Sequence, residues 1–590
     1  MKFLLVAVNA KYIHSNPAIY SLRAYAGEAL KEHIELAEYT INQSVQDILA
    51  DIYSRRPEVI GLSCYIWNWR LIQELLRELP KLLPGTDIWL GGPEVSYDGE
   101  RILGEYPGVK GIMVGEGEET FKELMEYYTS CKSSIGADTT LQGIPGLYLH
   151  CGPTGDREPV DMSRIPFLYS DLSLFENRII YYESSRGCPF RCSYCLSSID
   201  KKLRFRPVHI VQKELQFFLD HGVKQVKFVD RTFNCNREHA MAIWQHILEN
   251  DNGVTNFHFE ISADILGEEE LALLERMRPG LIQLEIGVQT ANGNTLTAIR
   301  RFMNIERLEY VVSRLRRSHN VHLHLDLIAG LPYEGYESFG ASFNRVYAME
   351  PEQLQLGFLK VLKGSAMEEE AEKYGLVYQD MPPYEVLYTN WLTYVEILRL
   401  KRIEEMVELY YNSNQFVYTL KFLEQAFETP FQMYEQLAAF YERKGYFKNS
   451  PARSYRYQVL LEFAKEYDSQ YEPVYRELLT YDMYLRENLK SRPEFAKDLA
   501  VHKDIFKAFY MQEEEQRVYL PGYEAYDSRQ LSRMTHLESF TYPVWESPNR
   551  NVTLLSVKGV KDEGSYLVLF DYQKRSPLTG EARTVVVKSN

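Results

Sequence analysis

Three cysteines stand in one short run, Glu183-Ser-Ser-Arg-Gly-Cys-Pro-Phe-Arg-Cys-Ser-Tyr-Cys-Leu-Ser-Ser198. Cys188, Cys192 and Cys195 have the spacing C-x3-C-x2-C and follow the strand-like apolar run 179–182. Three thiolates fall one short of a structural zinc site, which takes four protein ligands. They suffice for three irons of a 4Fe–4S cluster and leave the fourth iron open, unlike the four-cysteine ligation of ferredoxins. On spacing alone, a zinc knuckle completed by a distant His or Cys, or three unrelated thiols, stays open as well.

The elements that must hold such a loop show in the apolar patterning. Strand-like segments at 179–184, 224–229, 256–262, 281–287, 321–328 and 353–360 alternate with helix-like ones at 207–221, 237–249, 268–277, 305–317 and 336–348. These β-α units predict a partial (β/α)6 barrel over 179–370, with its reactive face at the carboxyl ends of the strands. Asp230, Glu260, Ser262, Glu285, Gln289 and Asp326 lie at those ends. Carboxylates on a buried rim are costly unless cations or donors meet them, so a positively charged ligand is expected there.

Residues 1–130 show a second alternation, with strands at 3–8, 34–37, 59–63, 88–90 and 111–114 and helices at 17–30, 45–54, 69–82, 97–105 and 118–128. This predicts a doubly wound, flavodoxin- or Rossmann-like parallel sheet that binds ligands at its strand ends. Asn9, His14, Ser63, Tyr65, Gly91, Gly92, Glu94 and Gly115 lie there. The paired glycines have no Cβ and admit a large ligand close to the backbone. Residues 131–178 read as an ordered connector with a short strand pair in 144–150. Residues 371–515 read as a helical domain whose tyrosine stripes are core packing rather than a base-stacking platform. Residues 516–590 read as a small β-rich region, with strands at 551–557, 565–571 and 583–588.

At 590 residues the chain is too long for one core. Hydrophobic residues at 45% and charged residues at 25% are ordinary for globular protein. No run approaches the roughly 18 apolar residues that cross a membrane. The six apolar residues after Lys2 are too few for a signal peptide. The four cysteines outside the loop, Cys64, Cys131, Cys151 and Cys235, are scattered and make no disulfide framework. That usage predicts a reducing, cytoplasmic setting. A net charge of −16 disfavours a long nucleic-acid surface.

On these residues the chain resembles cobalamin-binding radical S-adenosylmethionine (SAM) enzymes over about residues 1–365. The cysteine loop, with Gly187, Pro189 and the aromatic Tyr194, is similar to that family's cluster loop. The Ser63 loop, the Gly91-Gly92 loop and the run Val114-Gly-Glu-Gly-Glu-Glu-Thr-Phe121 are similar to the corrin-binding domain that precedes many such barrels. The resemblance implies a 4Fe–4S cluster on Cys188, Cys192 and Cys195. It implies SAM held by Tyr194, Asp230, Glu260, Ser262, Glu285, Gln289, Ile328 and Gly330. It implies cobalamin held by Asn9, His14, Ser63, Tyr65, Gly91, Gly92, Glu94 and Gly115. The D-x-H-x-x-G motif of other cobalamin proteins is missing, because Tyr12 and no Asp stands two residues before His14. Cobalt is therefore expected to be five-coordinate, water-bound or ligated differently.

The activity implied is methylation of an unactivated carbon through methylcobalamin and a 5′-deoxyadenosyl radical. The alternatives are a cobalamin-dependent rearrangement or cyclisation, a tRNA-modifying radical SAM reaction, or a redox or corrin-binding module without turnover. A methylthiotransferase needs three further cysteines, and the first 130 residues hold only Cys64. The substrate is expected to be a small molecule, a peptide or a tRNA, and the electron donor an external flavodoxin or ferredoxin. No residue is assigned to act on the substrate.

Overall fold

The protein is described by a computed structural model over residues 1–130, 141–200, 202–546 and 566–587; Cys131 and the strand expected at 551–557 lie outside these. The strand Phe3–Asn9 is buried along its whole length. That continuous apolar run is the mark of a parallel strand covered on both faces. Five strands lie parallel in the order Ile34–Thr40, Phe3–Asn9, Val59–Ser63, Asp87–Gly91 and Val109–Met113. Part of the segment read as a connector joins this sheet: Leu147–Leu149 pairs antiparallel with Val109–Met113, and Gly152–Pro153 pairs with Leu147–Leu149. Residues that read as a linker by composition thus cap an edge that would otherwise expose unpaired backbone groups.

The second sheet has six parallel strands, ordered Gln353–Phe358, Val321–Ala329, Ile282–Gln289, Asn256–Ile261, Gln225–Phe228 and Ile180–Tyr182. Helices follow the strands in sequence, as the alternation predicts. In Ile282–Gln289 burial alternates strictly: Ile282, Leu284, Ile286 and Val288 are buried, while Gln283, Glu285, Gly287 and Gln289 take the other face. A period of two is what a strand with distinct faces requires. It sends the polar set of this strand into the lumen. Side chains of Asn236 and Asn304 cap the helices Arg237–Glu249 and Ile305–Ser318.

Beyond the barrel, helices including Tyr394–Met406, Pro430–Lys444, Arg456–Tyr467 and Glu472–Arg486 share one continuous hydrophobic core with it. Pro430–Lys444 approaches Tyr336–Tyr347 so closely that a Cβ on Gly340 would lie 2.9 Å from Phe431 Cδ1. Tyr410, Tyr434, Tyr441, Tyr475 and Tyr481 are fully buried, so these tyrosines pack the core and present no stacking platform. A three-stranded antiparallel sheet of Thr535–Phe540, Tyr566–Arg575 and Ala582–Val587 follows.

Asp482, in the helix Glu472–Arg486, accepts hydrogen bonds from Tyr418 N (3.0 Å), Thr419 N (2.8 Å) and Thr419 Oγ1 (2.6 Å). Burial outweighs these bonds and pushes its pKa up to about 7. An unfolded Asp titrates near about 3.9. The folded state therefore holds the proton more tightly, and this stabilisation is full below about pH 4 and lost as pH rises through about 7. Relative to Asp482→Asn, hydrogen-exchange protection of Glu472–Arg486 should fall between about pH 4 and 7. A constant difference would show that Asp482 is ionised throughout.

Candidate functional site

The cysteine loop leaves Ile180–Tyr182, and its start pairs antiparallel through Ser185–Arg186 with Arg204–Phe205. Gly187 has φ +88°, and a Cβ there would lie 2.6 Å from Lys202 O, so only glycine fits the turn. Backbone bonds fasten the loop to the barrel rim: Ser193 N to Ile299 O at 2.9 Å and Met367 N to Ser193 O at 2.8 Å. All three cysteines are free thiols and line one cavity of 190 Å³ at the carboxyl end of the barrel.

Asp230 does not face that cavity. It is 0% exposed and accepts from Ser184 N (3.1 Å), Ser184 Oγ (2.7 Å) and the Ser185 hydroxyl. Burial pushes its carboxyl up to about 6. It pins the start of the cluster loop, and the expectation that it meets a ligand ammonium does not fit this direction. The exposed Arg231 lines the cavity instead. Ile328 and Gly330 also lie outside the lining; a Cβ on Gly330, at φ +90°, would lie 2.6 Å from Val386 Cγ1.

Tyr194, Glu260, Ser262, Glu285 and Gln289 do line it, with Asp326 and Arg301. Burial and then the charge of Glu285 push Glu260 up to about 7. Burial also works against Glu285, but His258, Lys227 and His324 outweigh it and hold that carboxyl at about 2. Glu285 Oε2 lies 2.9 Å from His258 Nε2 and 3.2 Å from Lys227 Nζ. Asp326 Oδ1 lies 3.0 Å from His324 Nε2. Glu285, His324 and Asp326 bring ligand atoms within 4.8 Å of one another, but Lys227 already sets a positive charge beside Glu285, and His258 lies within hydrogen-bond distance of the same carboxyl.

Sequence reading missed Arg301. Its Nη1 lies 3.7 Å from Cys192 Sγ, and its guanidinium donates to Gly287 O. The strand bulges between Gly287 and Gln289, and Gln289 takes φ +71°. A β-bulge re-aims a side chain in this way. Arg301 Nε and Gln289 Oε1 are buried without a hydrogen-bond partner among the described residues. The cavity thus offers an unmet donor, an unmet acceptor and carboxylates of unequal proton affinity. That set suits an amino-acid headgroup joined to a hydroxyl-bearing ring, and the three thiols beside it suit an iron–sulfur cluster.

Three more cavities lie at the strand ends of the N-terminal sheet, and Tyr65 lines all of them. One of 440 Å³ enters between strands past Gly61, Ser63, Gly91, Gly92 and Gly115. Gly92 has φ +109°, and a Cβ on it would lie 2.4 Å from Cys64 O. The second, 320 Å³, is lined by Asn9, His14, Trp67, Tyr181 and Val229. The third, 360 Å³, is lined by Glu118, Tyr181, Glu183, Arg186 and Val229. Three cavities that share Tyr65 offer room for a large ligand. His14 Nδ1 lies 2.5 Å from Tyr181 Oη across the domain boundary, and Tyr65 stacks on Trp67 at 4.3 Å. Asn9 Nδ2 is spent on His14 O (3.0 Å) and Glu38 Oε2 (2.6 Å). Glu94 is absent from the lining and turns to Lys363 and Tyr384, a correction to the ligand role expected for it.

Arg186, at the root of the cysteine loop, donates to Glu118 Oε1 at 2.6 Å and Glu183 Oε2 at 2.9 Å, so the Val114–Phe121 run docks on the barrel. The loop after Gln225–Phe228 is a wall common to both sides: Val229 lines two N-terminal cavities, while Arg231 and Thr232 line the cysteine cavity.

Residues 4–125 match the B12 binding domain, residues 182–346 the radical SAM superfamily, and residues 372–557 a family described as protein of unknown function (DUF4080). The chain carries a B12-binding domain followed by a radical SAM domain. It is 25% identical to the cobalamin-dependent radical SAM methyltransferase TokK of Streptomyces tokunonensis, over 54% of this chain and 50% of TokK. It is 20% identical to the anaerobic magnesium-protoporphyrin IX monomethyl ester cyclase of Cereibacter sphaeroides, over 54% of this chain and 53% of that one. The chain spans about half the length of these curated relatives. In fold it is similar to the radical SAM methyltransferase TsrM of Kitasatospora setae (TM-score 0.53, 19% identity, 65% of this chain and 79% of that one). It is likewise similar to the cobalamin-dependent SAM radical enzyme OxsB (TM-score 0.56, 16% identity, 81% of this chain and 78% of that one).

Proposed function

We propose that the protein is a cobalamin-dependent radical SAM enzyme that methylates an unactivated carbon. The observation that carries this reading is the shared wall at 229–232, which sets the cysteine cavity beside two of the three cavities around Tyr65. When bound, the cluster supplies the electron that cleaves SAM, and cobalamin supplies a methyl carrier. Cys188, Cys192 and Cys195 hold the cluster and leave one iron for SAM. Arg301 places positive charge against Cys192 and, with Gln289, orients the SAM headgroup. Glu260, near half-protonated at neutral pH, both accepts from and donates to hydroxyl groups of the ligand. Tyr65 and the glycine-lined slot seat the corrin and its tail. The electron comes from an external donor such as a flavodoxin or ferredoxin, which suits a reducing compartment. Among the described residues no helix is long and apolar enough to cross a membrane.

The test is anaerobic reconstitution with iron, sulfide, cobalamin and a strong reductant, followed by incubation of a cell-metabolite pool with trideuteromethyl-SAM. A labelled product together with 5′-deoxyadenosine is expected. A protein that forms 5′-deoxyadenosine but retains no corrin on desalting would defeat the cobalamin reading. Corrin retention with products that carry no label would favour ring closure, the activity named for the cyclase relative.

A further inference from the structure

The segment that leaves the last barrel strand crosses to the N-terminal domain before entering the C-terminal helices. Lys363 Nζ lies 3.1 Å from Glu94 Oε1, and the Tyr384 hydroxyl donates to the same oxygen. The Lys363 ammonium also lies 5.0 Å from the centre of the Tyr384 ring. Next to it, Gly364 has φ +78°, and a Cβ there would lie 2.5 Å from Tyr97 Cγ. Tyr97 lines the 440 Å³ slot. The segment leaves the barrel at Leu359, whose N donates to Ala329 O (2.9 Å), and its far end comes back to that start through Val361 N to Tyr384 O (3.0 Å) and Val386 N to Leu359 O (2.9 Å). It is thus a strap whose two ends are tied together beside the barrel and whose Lys363, Gly364 and Tyr384 meet the Gly91–Tyr97 loop.

Glu94 is 6% exposed, and a buried carboxylate without a partner is strongly unfavourable. Gly91 and Gly92 leave the loop soft, because glycine loses the most conformational freedom on ordering. Cys64 N to Gly91 O at 2.7 Å holds the start of the loop and Glu94 N to Cys64 O at 3.4 Å lies beyond it, while Ser96 Oγ to Gly92 O at 2.9 Å is a bond within the loop. The strap supplies the charge and the donor that the loop lacks.

We propose that Lys363, Gly364 and Tyr384 are positioning residues for cobalamin: the strap clamps the loop that walls the tail slot, so the region after the barrel sets how tightly the corrin is held. The inference rests on the reading that this slot takes cobalamin. Linkage makes it reciprocal: bound cobalamin stabilises the docked strap by the same free energy with which the strap favours cobalamin.

The experiment titrates hydroxocobalamin into the full-length, cluster-loaded protein and into K363M, K363R, Y384F and the charge-swapped E94K/K363E pair. K363M should bind about 10- to 100-fold more weakly, the loss of one partner of a buried pair. K363R and the swapped pair should recover most of that loss, which a merely unfolded loop would not do. Hydrogen exchange in 359–388 should slow when hydroxocobalamin is added to the wild type, and much less in K363M. Iron content and cleavage of SAM to 5′-deoxyadenosine should stay at the wild-type level, because Lys363 and Tyr384 do not line the cysteine cavity and the strap's bond to the cysteine loop, Met367 N to Ser193 O, is left intact. Equal hydroxocobalamin affinity in K363M and wild type would overturn the clamp alone. A matching loss of iron in K363M would also overturn it, by showing general damage. A wild type that binds no hydroxocobalamin would overturn the clamp together with the function it serves.

Discussion

Cys192→Ala should strip the reconstituted protein of most of its iron and sulfide and lower 5′-deoxyadenosine formation by more than about 100-fold, beyond the 10- to 100-fold typical of residues that only support a metal's ligands. Cys192 is buried against Arg301, and alanine leaves that guanidinium facing no thiolate. Cys188→Ala and Cys195→Ala should behave alike. Cys235→Ala is the control: burial and then the charge of Cys188 push this thiol up to about 11, so it is a poor source of thiolate, and it does not line the cavity. Iron assays on the four variants decide the matter. Retained iron and activity in Cys192→Ala would sink the site, and loss of iron in Cys235→Ala would make it a fourth ligand.

Gly92→Val should separate the two cofactors. A side chain at φ +109° is strained by about 1–3 kcal/mol, and its Cβ would sit 2.4 Å from Cys64 O. That carbonyl cannot easily yield, since Cys64 N donates to Gly91 O at 2.7 Å and holds the strand end. The loop must open, and hydroxocobalamin should bind more than about 10-fold more weakly, a loss of at least about 1.4 kcal/mol. The cluster should still load, because Gly92 does not line the cysteine cavity. Gly115→Ala is a graded comparison: φ is +76°, but nothing lies within 4 Å of the added Cβ, so its effect should be smaller. Unchanged hydroxocobalamin affinity in Gly92→Val would remove this slot from the corrin site.

The strands of both parallel sheets show in the sequence to within a few residues at each end, because most are short apolar runs set between amphipathic segments. The connector shows only in part: the strand pair expected in 144–150 falls on Leu147–Leu149, while Gly152–Pro153 is too short and too rich in turn residues to stand out, and only pairing with Leu147–Leu149 makes it a strand. The tyrosine-rich helices fit their packing role, since Tyr410, Tyr434, Tyr441, Tyr475 and Tyr481 are all buried. Site residues divide only in part by position, since Ile328 lies on a strand but outside the cavity and Tyr194 and Ser262 line it from loops. Glu260, Glu285 and Gln289 lie on strands, where alternation sets direction, and all three line the cavity. Asp230 and Glu94 lie in loops, and both turn away from the cavities for which their types suited them.

By itself the sequence determined the cysteine loop, since three cysteines within eight consecutive residues, after a tight turn at Gly187, need no distant segment to come together. It also determined the two β-α alternations and the glycines at the strand ends. Tertiary structure decided which loop side chains meet the cavities. Arg301 reaches Cys192 across 109 residues, and Lys363 takes Glu94 across 269. The physical reason is that the two-residue period stops where a strand stops. Past that point a polar side chain goes to whichever buried partner compensates its charge, and that partner is set by the packing of distant segments rather than by its neighbours in the chain.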